Sequence, residues 1–181
     1  MHENEIITLN RDVDALLIPS GARIFLQRGT EATITQSLGG SFTVNIYGNL
    51  ARIDSKDADA LGKPVQMQLS EDALETSTLE DLIWTQMRTC YDPEIPVNIV
   101  DLGLIYDCSI IEISAKCHRV IIKMTLTAPG CGMGPTIAAE VKAKVECVPH
   151  VVEAEIDIVF DPPWDHSLMS EAAKLELGMF Y

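Results

Sequence analysis

The sequence predicts an α+β protein in two parts. A small β-barrel or sandwich covers residues 1–70, and an α-β-β-α-β-α domain with a mixed sheet covers residues 77–181. Three observations carry this prediction. Between Arg23 and Tyr47, β-branched and aromatic runs alternate with glycine turns at close intervals. From Ser77 onward, apolar residues at helical spacing alternate with strand-like runs. Between the two parts lies Gln68–Ser77, a polar stretch with no clear period that reads as a linker.

Bulk composition narrows the function classes. The chain has 181 residues, 47% of them hydrophobic, which supports a packed core. Its 27 acidic residues against 13 basic ones give a formal net charge of −14. Such a chain has no general electrostatic footprint for nucleic acid or for an anionic membrane. No apolar run is long enough to span a bilayer, and the acidic start Met-His-Glu-Asn-Glu has no secretory apolar core. The expectation is a cytoplasmic protein. Cys90, Cys108, Cys117, Cys131 and Cys147 are odd in number, widely spaced and free of any CxxC pair. That argues against a disulfide framework and against a zinc site closed within one chain.

In the first part, the predicted strands are Arg23–Gln27, Glu31–Gln36 and Phe42–Tyr47, with Asp57–Pro64 as a closing turn or short helix. In the second part, Ser77-Thr-Leu-Glu80 has the spacing of a capping box. Leu79, Leu82, Ile83, Met87 and Cys90 follow at helical spacing, and the helix should end before Pro93. Leu102–Ile113 and Arg119–Thr127 read as a hairpin turning near Lys116-Cys-His118. Pro135 opens a helix with Ile137, Ala138, Val141 and Val145 on its apolar face. Val152, Ala154, Ile156, Ile158 and Phe160 alternate with acidic residues and predict a strand with one buried face. Asp161-Pro-Pro-Trp164 turns the chain into a short helix over Leu168–Leu177, stopped at Gly178. Arg119 to Phe160 is therefore a βαβ unit with parallel strands, whose carboxyl rim is the place for a ligand.

Cys131 is the leading chemical candidate, both as a nucleophile and as a metal ligand. It sits in Thr125-Leu-Thr-Ala-Pro-Gly-Cys131, between a strand and a helix start. A sulfur placed there faces unpaired backbone N–H groups and the positive end of a helix dipole, the surroundings of reactive thiols. Thr125 and Thr127, two residues apart on a strand, would point to the same face, toward Cys131. Gly130 belongs to the same loop. A second constellation runs from Asp92 to Tyr106. Asp92, Glu94, Asn98 and Asp101 cluster between a helix end and a strand start, with Pro93 and Pro96 fixing the backbone. These side chains either form turns with their own backbone or line a wall facing Cys131. Gly130, Gly132 and Gly134 fit a dinucleotide loop poorly, because Pro135 stands where the third glycine would be. Cys90 and Cys147 lie on helical apolar faces and are expected in the core. Cys117-His118 is a weak metal match at an expected turn. No Ser-His-Asp ordering or paired-acid spacing names a hydrolase.

Three segments, Asp92–Tyr106, Thr125–Cys131 and Val159-Phe-Asp-Pro-Pro-Trp164, together resemble the SufT/PaaD-type family of iron–sulfur cluster assembly accessory proteins. The resemblance spans Leu79 to Gly178, and the β-rich front resembles the extension of longer bacterial SufT proteins. It implies that Cys131 is the reactive cysteine of a T-x-T-x-P-x-C motif and that Asp92, Glu94, Thr125 and Thr127 match its other polar positions. Gly132 departs from the proline that many members carry after the cysteine. The implied role is cluster maturation, with no established enzymatic activity. The implied partners are cluster scaffold or carrier proteins and client apoproteins, and a homodimer is compatible with it. The implied cofactor is a transient iron–sulfur cluster, for which one cysteine supplies too few ligands on its own. Two other readings stand beside it: a thiol-dependent enzyme on a small molecule, and a non-catalytic adaptor.

Overall fold

The computed structural model of the chain describes residues 4–65, 69 and 71–179. Met1–Glu3 of the acidic start, and Gln68 and Ser70 of the expected linker, lie outside the described residues. The chain divides into two compact units, Met1–Met67 and Gln68–Tyr181.

The first unit contains β1 (Glu5–Thr8), β2 (Val13–Leu17), β3 (Arg23–Leu26), β4 (Glu31–Leu38), β5 (Ser41–Ile46) and β6 (Asn49–Ile53). They form one antiparallel sheet in the order β1-β4-β5-β6-β2-β3. The alternation in β5 is the sequence signal made physical: Phe42, Val44 and Ile46 are buried while their neighbours are not. Val13, Ala15, Ala51 and Ile53 complete the core with Leu9, Leu26 and Ile34. Three of the six strands, β1, β2 and β6, were not expected. Val-Asp-Ala-Leu-Leu and Asn-Leu-Ala-Arg-Ile are poor in β-branched residues, and pairing with neighbours overrides their weak intrinsic preference. A short 3₁₀ segment, Ser55–Leu61, ends at Gly62 in the left-handed region.

The second unit begins with α1 (Glu71–Thr76), where the sequence reading placed only a linker. Next comes α2 (Leu79–Met87). Its capping box is Thr78 with Asp81, one residue later than the Ser77–Glu80 pair expected. Thr78 is also the residue with extended backbone angles, which an N-cap needs. β7 (Ile105–Ser114) and β8 (Cys117–Met124) form the expected hairpin. α3 (Gly134–Glu146) follows, with proline in its first turn. β9 (Val151–Ile158) then pairs in parallel with β8. The last expected helix is split into a 3₁₀ turn, His166–Leu168, and α4 (Glu171–Glu176). The sheet order is β7-β8-β9.

Two departures in this unit have clear causes. Between β8 and β9, His118 pairs with Val151 but Arg119 pairs with Glu153, so Val152 is an extra residue. The parity flips there: Val151 and Ala154 are buried while Val152 is 57% exposed, contrary to the simple alternation. Phe160 lies beyond the strand and is exposed. Cys147, expected in the core, is exposed because α3 ends at Glu146 and Cys147 is its C-cap. Cys90 is fully buried, as expected.

Candidate functional site

The register of the three strands brings three loops to one end of the sheet. Ile105, the first residue of β7, pairs with Met124, the last of β8. The N–H of Thr125 donates to the carbonyl of Leu104 at 2.8 Å, extending that ladder by one step. β9 runs parallel to β8 and ends at the same place, where the N–H of Val159 donates to the Met124 carbonyl at 2.8 Å. The segments 88–104, 125–133 and 159–165 therefore meet there. These hold the three motifs read from the sequence.

Asp92 organises the first loop. It is 5% exposed. Its Oδ1 accepts the N–H groups of Glu94 and Ile95, both at 2.9 Å. Its Oδ2 accepts the Thr127 hydroxyl at 3.4 Å, which ties the first loop to the second. The carboxylate thus caps a turn and faces the Cys131 loop at once. Farther along, Asn98 Nδ2 donates to Asp101 Oδ2 at 2.6 Å, and the Asp101 N–H donates to Asn98 Oδ1 at 2.9 Å. That pair closes a turn, which is the plainer of the two roles open to these residues. Glu94 is exposed, and only its N–H enters the Asp92 turn.

Thr125 and Thr127 lie past the end of β8, so they do not alternate on a strand as expected. Thr125 is 1% exposed and Thr127 is half-buried. Gly130 is exposed. Cys131 is half-buried and sits two residues before Met133, the N-cap of α3. A turn holds it: its N–H donates to the Ala128 carbonyl at 3.1 Å, and its carbonyl accepts from Gly134 at 3.3 Å. Among the described residues, no group of three or more His, Cys, Asp or Glu side chains gathers to hold a metal ion.

The third loop clamps the first. Trp164 Nε1 donates to the Leu102 carbonyl at 2.8 Å, and the Tyr106 hydroxyl donates to the Pro162 carbonyl at 2.7 Å. The Ser170 N–H reaches the Asp101 carbonyl at 2.8 Å. Gly103 sits beneath this clamp with φ +75°, and a Cβ there would stand 2.2 Å from the Leu168 carbonyl oxygen. The first strand starts at Ile105 and not at Leu102 for this reason. The 98–104 segment turns back on itself, with the Leu102 N–H bonded to Asn98 and Gly103 in the left-handed region. Gly103, Tyr106 and Trp164 were not singled out as site residues. The signal for Gly103 was present in the sequence, as a glycine between Leu102 and Leu104 where an uninterrupted strand needs none.

A buried lysine joins α3 to the end of α2. Lys144 Nζ donates to the Thr89 carbonyl at 2.8 Å and lies 3.1 Å from Glu140 Oε1. Asp92 follows Thr89 by three residues, so the base of its loop is fixed to the helix that Cys131 precedes. Elsewhere in the unit, burial, helped by Glu80 and Asp107, pushes the Cys108 thiol up to about 11 from its ordinary 9.0.

Known proteins share sequence and fold with the second unit. The family model described as iron–sulfur cluster assembly protein matches residues 80–156. A Porphyromonas gingivalis Fe-S protein maturation auxiliary factor is 48% identical over 101 residues, covering 56% of this chain and 91% of that protein. The Bacillus subtilis Fe-S protein maturation auxiliary factor YitW is 41% identical over 101 residues, covering 56% of this chain and 95% of that protein. The crystal structure of a domain of unknown function, DUF59, from Bacillus anthracis aligns with a TM-score of 0.51 at 37% identity. It covers 56% of this chain and 93% of that one. With the three motif loops assembled at one end of its three-stranded sheet, the chain belongs to the SufT-type family of iron–sulfur cluster assembly proteins.

Proposed function

We propose that this protein is a maturation factor for iron–sulfur proteins and that Cys131 is its working residue. The observation that carries this reading is the convergence of the Asp92, Thr127 and Cys131 loops in a unit that belongs to the SufT-type family. The cluster is cargo. Iron–sulfur clusters take four protein ligands, mostly cysteines. Cys131 supplies one, and the rest come from a carrier, a client apoprotein, a second copy or a small thiol. A cluster held this way is labile, which suits transfer better than storage. Exchange of the Cys131 thiol with a client is the other route the geometry allows. Asp92 and Thr127 keep the loop in place while Cys131 engages. In this reading the partners are cluster scaffolds or carriers and client apoproteins, met in the cytoplasm, with neither nucleic acid nor membrane involved. Among the described residues no helix is long and apolar enough to cross a membrane.

The test compares cells carrying the wild type or Cys131→Ala, measuring the activities of several iron–sulfur enzymes beside enzymes without clusters. The expected result is loss confined to the iron–sulfur enzymes, with equal amounts of both proteins. Full activity with Cys131→Ala would leave the protein as an adaptor in which the thiol is structural.

A further inference from the structure

The first unit contains a cavity of about 470 Å³, within the range of small-molecule pockets. Four consecutive residues of one strand region line it, Ile24, Phe25, Leu26 and Gln27. Consecutive side chains of a strand point to opposite faces of a sheet. A space touched by all four therefore runs along the edge of the strand and not over one face. β3 is that edge: the sheet order ends with it, and β2 is its one partner among the described residues.

The ladder shows which main-chain groups face the cavity. The Leu17 N–H donates to the Ala22 carbonyl at 2.8 Å. This bond shares the register that pairs Ala15 with Ile24 and Val13 with Leu26. Bonded and non-bonded pairs alternate in an antiparallel ladder. Asp14 and Phe25 are thus a non-bonded pair, and the N–H and C=O of Phe25 point away from β2. Opposite, the hairpin tip supplies Tyr47 and Asn49, and Thr30 completes the polar lining. Tyr47 is 88% exposed at φ +51°, and Phe25 is 61% exposed. Tyr47 and Gly48, both at positive φ, are the two-residue turn between β5 and β6, and this turn holds the tyrosine ring out in water beside the cavity. None of the residues that line this cavity carries a charge, whereas Phe25 also borders a second hollow that holds Asp14 and Arg23, so the uncharged surface is the side toward Tyr47.

We propose that this edge takes up an extended, uncharged segment of a partner protein as an added strand. The Phe25 main chain pairs with the segment, and an apolar or aromatic side chain of the segment enters between Phe25 and Tyr47. Edge addition of this kind draws affinity from main-chain hydrogen bonds and selectivity from pockets for alternate side chains. The uncharged lining selects against a basic segment that the rest of this acidic chain would attract. The site lies outside the family match at residues 80–156 and is independent of Cys131.

The test uses the full chain and a capped, uncharged pentapeptide of alternating valine and threonine with a central phenylalanine. Two controls accompany it, the same peptide N-methylated at alternate amides and one with lysine at the centre. Amide NMR titration should show saturable shifts confined to 23–30 and 46–49, with both controls binding at least about tenfold more weakly. Phe25→Ala and Phe25→Pro both remove the ring, but only proline removes the outward N–H, which no ladder bond uses. Proline should weaken binding severalfold beyond alanine, while the melting curves of the two variants coincide. If the melts differ, Tyr47→Gly, which relieves the strained φ, should weaken the peptide severalfold in a folded protein. Equal binding by the N-methylated peptide, or shifts centred elsewhere, overturns the proposal. So would no binding at millimolar peptide.

Discussion

The two units of this chain solve opposite problems with their loops. In the first, tight turns serve regular strands, and the glycines at the tips of these turns meet nothing. Gly29 and Gly48 both have φ +88°, and a Cβ on either would have no atom within 4 Å. In the second, regular strands serve irregular loops, and Gly103 is pressed against the Leu168 backbone. Charge divides the same way. Met1–Met67 holds eight acidic and six basic residues, whereas Gln68–Tyr181 holds nineteen acidic and seven basic. A turn needs only an allowed backbone angle, while a binding rim needs a specific neighbour. The contrast is between Gly103 and the turn glycines, Gly29 and Gly48, and not between all glycines of the two units, since Gly130 in the Cys131 loop also meets nothing within 4 Å.

Paired substitutions test that contrast directly. Gly103→Ala should cost about 4 kcal/mol, because a wrong backbone angle is joined to a backbone clash that no side chain can relieve. Gly29→Ala should cost about 1 kcal/mol, from the angle alone. Urea melts of the full chain, and of a chain beginning near Glu71, measure both. If the shorter chain folds cooperatively and shows the same loss for Gly103→Ala, the two units are energetically separate. If it does not fold, the boundary is wrong. A ratio near one for the two glycines would break the contrast.

Asp92 comes next in size. Asp92→Ala strips acceptors from two backbone N–H groups and from the Thr127 hydroxyl in a buried place, at a cost of about 2–3 kcal/mol. Thr127→Val removes only the long bond between the loops and should cost under about 1 kcal/mol. If its effect on iron–sulfur enzyme activities in cells is as large as that of Asp92→Ala, the link between the loops matters more for function than for stability.

Capping gives a smaller effect with a pH signature. Thr78→Ala should destabilise the second unit by about 1 kcal/mol. Hydrogen bonds from the Thr78 hydroxyl and N–H hold the Asp81 carboxyl below its ordinary 3.8. A lowered carboxyl adds stability above its unfolded value and loses it as pH falls through the folded one. The difference between wild type and Thr78→Ala should therefore shrink below about pH 4. A gap that stays constant down to pH 2 would mean that the cap acts without the Asp81 charge.

The smallest effect is a ranking of thiols. Cys131 and Cys147 flank opposite ends of α3, so the helix dipole favours attack by Cys131 and opposes it at Cys147. Alkylation of folded protein at pH 8 with peptide mapping should label Cys131 ahead of Cys147, Cys117 and Cys108, with buried Cys90 last. Cys147 ahead of Cys131 would mean that exposure outweighs the dipole.

Much of this was legible in the sequence, for reasons that vary by element. Val44 and Ile46 announce β5 because alternation is strict there. The hairpin and the parallel β9 followed from period and handedness alone. The two-residue periodicity of Thr125 and Thr127 misled, because β-propensity persists past the point where pairing stops. The parity of β9 failed at Val152, since an inserted residue leaves no local signature. Asp92 could be named as a candidate, but its hold on Thr127 depends on strand register, which the local sequence does not display. Phe25 at a free edge was invisible for the same reason: whether a strand has one neighbour or two is decided by strands far away in the chain.

The clamp of the third loop on the first has a temporal consequence. Trp164 reaches back 62 residues to Leu102, and Tyr106 reaches forward 56 to Pro162, while Thr127 is only 35 from Asp92. During synthesis, the Asp92 turn and the Cys131 loop can meet before the residues that fasten them have left the ribosome. A nascent chain that stops short of residue 164 already carries the thiol, yet leaves it on an unfastened rim. The most distant contacts form latest because closing the longest loops costs the most chain entropy. The rim around Cys131 reaches its settled geometry only once residues 162 and 164 have been made and can fasten the first loop.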